Sequence, residues 1–343
     1  MTAKLNWGIL TTGGIARKFV TDLRQSRTGR FAAVGARRLA DAEKFAADFG
    51  GARAHGSYDA LLADPEVQAV YIGTPHPLHA EWAVKAAAVG KHVLCEKPLA
   101  LRLPDAQRII AAAREHRVLL MEAYMYRCHP QTLKLVELVR SGAIGELRLI
   151  QAAFSVARDF DPAHRLFKRE LGGGAILDLG CYPVSFSRLI AGAALGRPFA
   201  EPVEFHATGR RHPLAQTDEY ASAAVKYPGD VIAELSCGST VKHDISARIY
   251  GTQGWLEVPT PFFPGLDGRD DKFFLHRTGA AAPEEFAFPS GGVGLYAHEA
   301  DAVAEALARG QREVAQMTWA DTTGNMAMLD AWVAAAGVNY DGT

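Results

Sequence analysis

Short apolar runs alternate with helical patterns along the first third of this chain, and this alternation limits the fold more than any other feature. Apolar runs such as residues 5–10 and 92–95 have the length of β-strands. Segments such as residues 13–23 carry apolar residues at steps of four, which indicates amphipathic helices. Repeated strand–helix units are typical of a parallel sheet covered by helices on both faces. We therefore predict an α/β fold in which residues 1–122 form a doubly wound parallel sheet.

The rest of the chain follows a different pattern. Apolar and polar residues alternate over 146–156 and through much of 203–250, which favours antiparallel strands. A helix is expected at about 174–191, and residues 259–268, with three prolines and two glycines, are expected to form an irregular surface loop. We predict a second domain over residues 123–343, an α+β domain with a mainly antiparallel sheet, whose C-terminal helix packs back on the first domain or stays within the second.

Composition excludes several classes of protein. The 343 residues include 37 Lys and Arg against 38 Asp and Glu, so neither nucleic acid nor an anionic membrane is a favoured partner. The four cysteines are scattered, and no histidine or cysteine cluster has metal-ligand spacing, so we expect reduced thiols and no metal site. No apolar run reaches about 18 residues and no signal peptide is recognisable, so we expect a cytoplasmic protein without a membrane span.

The turn after the first apolar run has the position of a dinucleotide-binding turn. Gly13 and Ala16 occupy the second and third small positions of a G-x-G-x-x-A pattern, and Thr11 replaces the first glycine. A pyrophosphate needs close approach to the backbone at the positively polarised start of a helix. A simple glycine turn is the alternative. The cofactor-binding candidates here are Thr11, Thr12, Gly13, Gly14, Ile15 and Ala16.

Two arginines follow the second predicted strand, where a site for NAD would carry an acidic residue. The guanidinium groups of Arg37 and Arg38 suit a 2′-phosphate, so we predict NADP as the cofactor, with NAD as the other possibility. The alternative is that both side chains are simply solvated.

Two further segments follow strand ends, where the cofactor crevice of such a fold lies. Thr74, Pro75, His76 and His79 follow one strand and are cofactor-binding candidates, although a proline-stiffened loop with a capping histidine explains them equally well. Lys97 follows Glu96 at the end of a buried run, and burial in a crevice would lower its pKa.

A glycine-rich stretch from Gly172 leads into Asp178 and Tyr182. Tyr182 has a phenol that an ammonium group can convert to a general base for a hydroxyl. Asp178 precedes it by four residues, one turn of an α-helix, and is placed to bind substrate hydroxyls or to orient Lys97. Packing in a helix is the alternative role for a tyrosine at this position.

These motifs together resemble the Gfo/Idh/MocA oxidoreductases: the turn at 7–16, Thr74-Pro75 with His79, Glu96-Lys97-Pro98, and the stretch 172–182. The resemblance implies a Rossmann domain with a cis Lys97–Pro98 peptide. It also implies a second domain whose open-faced sheet mediates dimers or tetramers.

Tyrosine at position 182 is similar to the subgroup of dimeric dihydrodiol dehydrogenases, glucose–fructose oxidoreductases and NADP-dependent D-xylose dehydrogenases. In this subgroup Lys97 and Tyr182 would be the proton-transfer pair, and Asp178 would contact the substrate. Glu96 would lie beside the cofactor, and Tyr124 and Arg127 would line the pocket, with pairing of Arg127 to a carboxylate as an alternative.

We therefore predict an NADP-dependent dehydrogenase that oxidises C1 of an aldose of the D-xylose or D-glucose type to an aldonolactone. The alternatives are a trans-1,2-dihydrodiol dehydrogenase or dicarbonyl reductase that uses the same residues, and a non-catalytic NADP-binding regulator. Pocket aromatics would favour a flat substrate, but sequence alone does not place Phe154, Phe160 and Phe167.

Overall fold

A computed structural model describes residues 4–340, and the chain divides into two compact units. The strands are β1 Leu5–Leu10, β2 Gly29–Gly35, β3 Arg53–His55, β4 Ala69–Ile72, β5 His92–Glu96, β6 Leu120–Ala123, β7 Leu147–Ser155, β8 Glu204–Arg211, β9 Asp218–Tyr227, β10 Val231–Gly238, β11 Ser246–Gly251, β12 Gly254–Val258, β13 Asp271–Arg277 and β14 Glu284–Phe288. The helices are α1 Gly14–Leu23, α2 Leu39–Asp48, α3 Tyr58–Leu62, α4 His79–Ala88, α5 Leu103–Glu115, α6 Pro130–Arg140, α7 Cys181–Ala194, α8 Leu295–Ala308 and α9 Trp319–Ala335.

The first unit comprises Met1–Cys128, Leu266–Gly268 and Ser290–Thr322. Its sheet has the strand order β3-β2-β1-β4-β5-β6, and neighbouring strands run parallel. This is the order of a Rossmann sheet, so the predicted doubly wound parallel sheet is confirmed. Residues 123–128, which the sequence analysis assigned to the second domain, group with this unit.

Helix α1 packs on the parallel sheet through one apolar face. Phe19, Val20 and Leu23 lie on one face of α1 and are buried. The ring of Phe19 stacks on Tyr71 of β4 with centroids 4.0 Å apart. The apolar stripe therefore attaches α1 to the middle of the sheet, and this places its N-terminus at the end of β1.

The second unit comprises His129–Gly265, Arg269–Pro289 and Thr323–Thr343. Its eight-stranded sheet has the order β14-β13-β12-β11-β7-β10-β9-β8 and is antiparallel except between β7 and β10. The prediction of a mainly antiparallel sheet is thus confirmed. In β9 the residues alternate between buried and exposed, and α7, which is buried along nearly its whole length, packs on the buried side of β7 and β10.

One local prediction is wrong. Residues 259–268 were expected to form a surface loop, but the middle of this segment is buried, and Phe262 has no exposed surface. The prolines make the backbone irregular, while the aromatic side chain still packs inside the unit. Among residues 4–340, no helix combines the length and the apolar character needed to cross a membrane.

Candidate active site

The turn between β1 and α1 has the backbone geometry of a glycine turn. Thr11 has a φ of 106°, in the region that favours glycine, and its N–H donates to the carbonyl of Gly35 at 3.1 Å. Holding a β-branched residue there costs about 1–3 kcal/mol. The chain then reaches Gly13 and enters α1 at Gly14. Ile15 is half-buried and Ala16 is buried beneath the turn.

A cavity of about 360 Å³ lies beside this turn in the first unit. It is lined by Thr11, Thr12, Ala36, Arg37, Arg38, Asp41 and Tyr58. A side chain added at Gly14 would meet nothing within 4 Å, so the backbone at the helix start is open to a ligand. Open backbone N–H groups and two guanidinium groups fit the phosphates of a dinucleotide.

The two arginines of this cavity differ in their contacts. Both are exposed, but Arg38 forms a two-pronged ion pair with Asp41, with N–O distances of 2.7 and 2.8 Å. This pair raises the pKa of Arg38, which stays charged. Sequence analysis did not select Asp41, although it lies only three residues beyond Arg38.

The Lys97 turn follows β5 and is held by a buried histidine. His79 is completely buried, with Nδ1 at 3.0 Å from the carbonyl of Pro98 and Nε2 at 2.8 Å from that of Thr74. Burial lowers the pKa of His79. Because both ring nitrogens face backbone carbonyls, His79 connects the loops that follow β4 and β5. His76 lies edge-on to it, with ring centroids 5.6 Å apart, and Pro75 leads into this turn.

Two carboxyl groups fix the same turn, one at the end of β5 itself and one on the neighbouring strand β6. Glu122 on β6 accepts the N–H of Leu99 at 2.9 Å, and burial raises its pKa to about 8. Glu96 accepts the N–H of Lys97 at 3.3 Å and the hydroxyl of Tyr71. The Lys97–Pro98 peptide is cis, as the family resemblance implied. Sequence reasoning missed Glu122 as a site residue, because nothing in its local pattern indicates that it supports a loop following another strand.

The Tyr182 segment begins at a glycine bend in the second unit. Gly172 and Gly174 have φ angles of 67° and 112°, and a side chain at Gly173 would come within 2.6 Å of the carbonyl of Leu166. The bend therefore requires glycines. The predicted single α-helix over 174–191 is wrong at its start, because residues 176–180 form a π-helical turn before α7 begins.

Asp178 lies in that π-helical turn and Tyr182 in the first turn of α7. Their spacing is therefore not the single α-helical turn that the sequence suggested. The carboxylate of Asp178 is nearly buried and accepts a hydrogen bond from the Arg165 guanidinium at 2.8 Å, while Arg165 is half-exposed. Arg165 was not predicted, since it begins a short 3₁₀ turn that carries no recognisable motif.

Aromatic rings surround Tyr182. Its ring centroid lies 5.3 Å from that of Phe154, 5.4 Å from Phe262 and 5.6 Å from Phe263. Phe154 therefore belongs to the surroundings of Tyr182. The other two candidate aromatics, Phe160 and Phe167, pack on His212 instead.

The remaining predicted pocket residues are buried in the first unit. Arg127 is 3% exposed, pairs with Asp321 and donates from Nε to the carbonyl of Gln316 at 2.9 Å. This is the carboxylate pairing that the sequence left open, and it gives Arg127 a structural role. Tyr124 is fully buried and lies edge-on to Tyr126. Within the described residues, no group of three or more His, Cys, Asp or Glu side chains could hold a metal ion.

Comparison with known proteins agrees with this geometry. Residues 5–124 match the oxidoreductase family with an NAD-binding Rossmann fold, GFO_IDH_MocA, and residues 132–257 match the GFO/IDH/MocA C-terminal domain. The chain belongs to the Gfo/Idh/MocA oxidoreductase family. A trans-1,2-dihydrobenzene-1,2-diol dehydrogenase from Xenopus tropicalis is 32% identical over 340 residues, which cover 97% of this chain and 98% of that protein.

Two solved structures have a similar fold. KijD10, a 3-ketoreductase from Actinomadura kijaniata in complex with NADP and TDP-benzene, matches with a TM-score of 0.84 and 29% identity over 97% of this chain and 98% of that one. An aldose-aldose oxidoreductase from Caulobacter crescentus matches with a TM-score of 0.84 at 24% identity over the same shares, which shows the fold alone. This Gfo/Idh/MocA protein is therefore an oxidoreductase with a nicotinamide-dinucleotide-binding domain.

Proposed function

We propose that this oxidoreductase oxidises a hydroxyl group on a ring-shaped vicinal diol, with a trans-1,2-dihydrodiol as the first candidate substrate. The observation that carries this proposal is the enclosure of Tyr182 by Phe154, Phe262 and Phe263. Aromatic faces bind a flat, largely apolar ring well. The dihydrodiol dehydrogenase that matches nearly the whole chain supports the same choice.

In this proposal the side chains divide the chemistry between proton transfer and orientation. Tyr182 removes the proton of the substrate hydroxyl, and Lys97 is assigned the supporting role in this proton transfer that the family resemblance implies. Asp178, oriented by Arg165, accepts a hydrogen bond from the second hydroxyl of the diol. The nicotinamide, when bound, supplies the hydride acceptor. The carbon that carried the hydroxyl then becomes a carbonyl carbon, and the aromatic rings around Tyr182 keep bulk water away.

An aldose oxidised at C1 is the second candidate, and the Asp178–Arg165 pair favours it. A sugar offers several hydroxyl groups, and a carboxylate beside a half-exposed guanidinium can bind adjacent ones. A dihydrodiol presents more apolar ring face to Phe154 and Phe263 than an aldose does.

The experiment measures NADP⁺ reduction at the near-ultraviolet absorbance of NADPH with trans-dihydrodiols, D-xylose, D-glucose and myo-inositol. Turnover that is fastest with a dihydrodiol and falls in Phe154→Ala supports the proposal. A preference for an aldose that survives Phe154→Ala would transfer the assignment to the second candidate. The absence of turnover with every substrate, in either direction, would overturn both.

We also propose that the cavity beside the β1–α1 turn prefers NADP to NAD. Arg37 and Arg38 line it, but the carboxylate of Asp41 already pairs with Arg38. Arg37 is therefore the guanidinium we assign to the 2′-phosphate. Arg37→Ala is expected to raise the NADP dissociation constant by about 10-fold and to leave that of NAD unchanged, because only NADP carries the phosphate. Fluorescence titration with each reduced cofactor measures both values, and equal losses would contradict the assignment.

We also infer that copies of the chain associate through the outer face of the eight-stranded sheet. This face has a shallow cavity of about 850 Å³ whose lining includes the small side chains of Ala153, Ser222, Ala224 and Ser236. Light scattering distinguishes a monomer from a dimer or tetramer, and Ser222→Arg is expected to lower the mass if the inference holds. A cytoplasmic location stays a prediction.

A further inference from the structure

A buried carboxylate outside the recognised motifs lies against the glycine bend of the Tyr182 segment. Asp218 is the first residue of β9 and is 1% exposed. One of its oxygens, Oδ2, accepts the N–H of Ile176 at 2.6 Å. The N–H groups of Ala175 and of Asp218 itself also point at this carboxylate. It thereby satisfies donors at the start of a helical segment, which have no partner within the helix.

The glycine bend is shaped around this carboxylate. A side chain at Gly174 would overlap Oδ1 of Asp218, so the missing side chain provides the room that the carboxylate occupies. The phenol of Tyr340 hydrogen-bonds the carbonyl of Gly173 and lies 3.5 Å from Oδ1 of Asp218. Side chains from distant parts of the chain therefore form hydrogen bonds with N–H groups of the bend and with one of its carbonyls.

Position in the chain makes these contacts relevant to the chemistry. Ile176, whose N–H binds Asp218, opens the π-helical turn that contains Asp178, and Tyr182 follows in the first turn of α7. A shift at Ile176 would rotate the start of this segment and move both side chains together. Reactive groups lose rate steeply when they are displaced by about 1 Å.

We propose that Asp218 is a positioning residue that sets the register of the Asp178–Tyr182 segment through the N–H groups of Ala175 and Ile176. The proposal rests on the dehydrogenase function proposed above. Asp218 acts through the backbone and does not itself touch the substrate.

Protonation of Asp218 is expected to make kcat depend on pH. Burial raises the pKa of Asp218 to about 6, against the hydrogen bonds that lower it. Among residues 4–340, the phenol of Tyr340 and the thiol of Cys237 interact with Asp218, and Arg169 acts on Tyr340. Burial raises the pKa of both Tyr340 and Cys237 far above neutrality. In this cluster Asp218 is therefore the group that becomes protonated in mildly acidic solution. Its hydrogen bonds with the N–H groups are then weaker.

The test compares Asp218→Asn with the wild-type enzyme. An amide directs one NH₂ group at backbone donors, so we expect kcat to fall by about 10- to 100-fold, with NADP dissociation changed less than about twofold because that cavity belongs to the other unit. We also expect the wild-type kcat to decline as pH falls through about 6, the pKa of Asp218, and this decline to be absent in the variant. A merely structural role would lower the melting temperature without removing this pH dependence.

A matched control is Asp64→Asn, another buried carboxylate that accepts a backbone N–H, from Glu66 at 3.0 Å. It is expected to lower stability and leave kcat and its pH profile unchanged. Tyr340→Phe keeps the carboxylate of Asp218 and removes only the phenol hydroxyl, and it is expected to lower kcat by a few-fold. It provides the test if Asp218→Asn does not fold. An unchanged kcat in both Asp218→Asn and Tyr340→Phe would overturn the proposal, as would a decline of kcat centred near pH 6 that persists in Asp218→Asn.

Hydrogen exchange separates this proposal from the function on which it rests. Asp218→Asn is expected to speed exchange in the peptide that covers residues 175–182, and Asp64→Asn is not. If no diol or sugar is turned over but this change is observed, the proposed function fails while the positioning contact is upheld. Unchanged exchange at 175–182 would overturn the positioning contact itself, whatever the enzyme oxidises.

Discussion

Lys97 lies in a backbone bend and Tyr182 follows one, the glycine bend at residues 172–174, and buried carboxyl groups stabilise both bends in different ways. At Lys97 the supporting groups, Glu96 and Glu122, come from adjacent parallel strands. At Tyr182 the bend needs glycines, and the carboxylate of Asp218 comes from a strand that begins more than thirty residues later. The first bend is thus stabilised by residues of the strands beside it, whereas the second depends on a contact between segments that are distant in the sequence.

The largest expected effects are losses of kcat when Tyr182 or Lys97, the reactive side chains associated with the two bends, is replaced. Tyr182→Phe is expected to lower kcat by about 10²- to 10⁴-fold, the usual contribution of a general base, while NADP binding stays the same. Lys97→Ala is expected to lower kcat similarly and also to weaken NADP binding, because Lys97 follows a strand end of the dinucleotide-binding unit. Steady-state kinetics and cofactor titration check both, and unchanged turnover in Tyr182→Phe would remove it from the proposed role.

Backbone geometry at the second bend predicts the next largest effect. Gly174→Ala combines a φ of 112° with overlap on Asp218, and it is expected to lower the free energy of unfolding by about 3 kcal/mol or more. Gly196→Ala is the matched control, since Gly196 has a φ of 69° but open space around it, and it should cost only about 1 kcal/mol. Equal losses in denaturant unfolding would mean that the contact with Asp218 contributes nothing.

The carboxyl group at the first bend predicts a dependence of stability on pH. Burial raises the pKa of Glu122 from 4.5 to about 8, so the folded protein holds a proton that the unfolded chain releases between these values. Wild-type stability should therefore fall as pH rises through this window. Glu122→Gln, which resembles the protonated form, should reduce this fall and gain stability relative to wild type at high pH, on the order of 1–4 kcal/mol. Unfolding midpoints at several pH values test this, and parallel curves for both proteins would contradict it.

The smallest effect is expected at Thr11, in the turn between β1 and α1. Thr11→Gly removes the strain of a φ of 106°, and after the entropy that glycine adds to the unfolded chain we expect a gain of about 0.5–1 kcal/mol. Thr12→Gly has no such strain to relieve and should lower stability. Thermal unfolding of the two variants compares them directly, and a loss at Thr11 would show that its side chain contributes more than its backbone costs.

The same contrast explains how much the sequence could predict. The parallel sheet, its turn at Thr11 and the Lys97 segment follow from local periodicity and motif order, and the fold class was confirmed. Glu122 and Asp218 have no local signature, since a lone acidic residue at a strand end is usually solvated. The π-helical start of the Tyr182 segment was missed because its residues have the same apolar spacing as an α-helix. The buried Phe262 was missed because prolines suggested a surface loop.

Tyr340 extends the dependence of the second bend to the far end of the described chain. Its phenol reaches back to Gly173 and Asp218, across more than one hundred residues of sequence. Loss of the Tyr340 phenol is then expected to slow proton transfer before the protein unfolds. A sample with full secondary structure therefore loses activity when this one distant contact is removed.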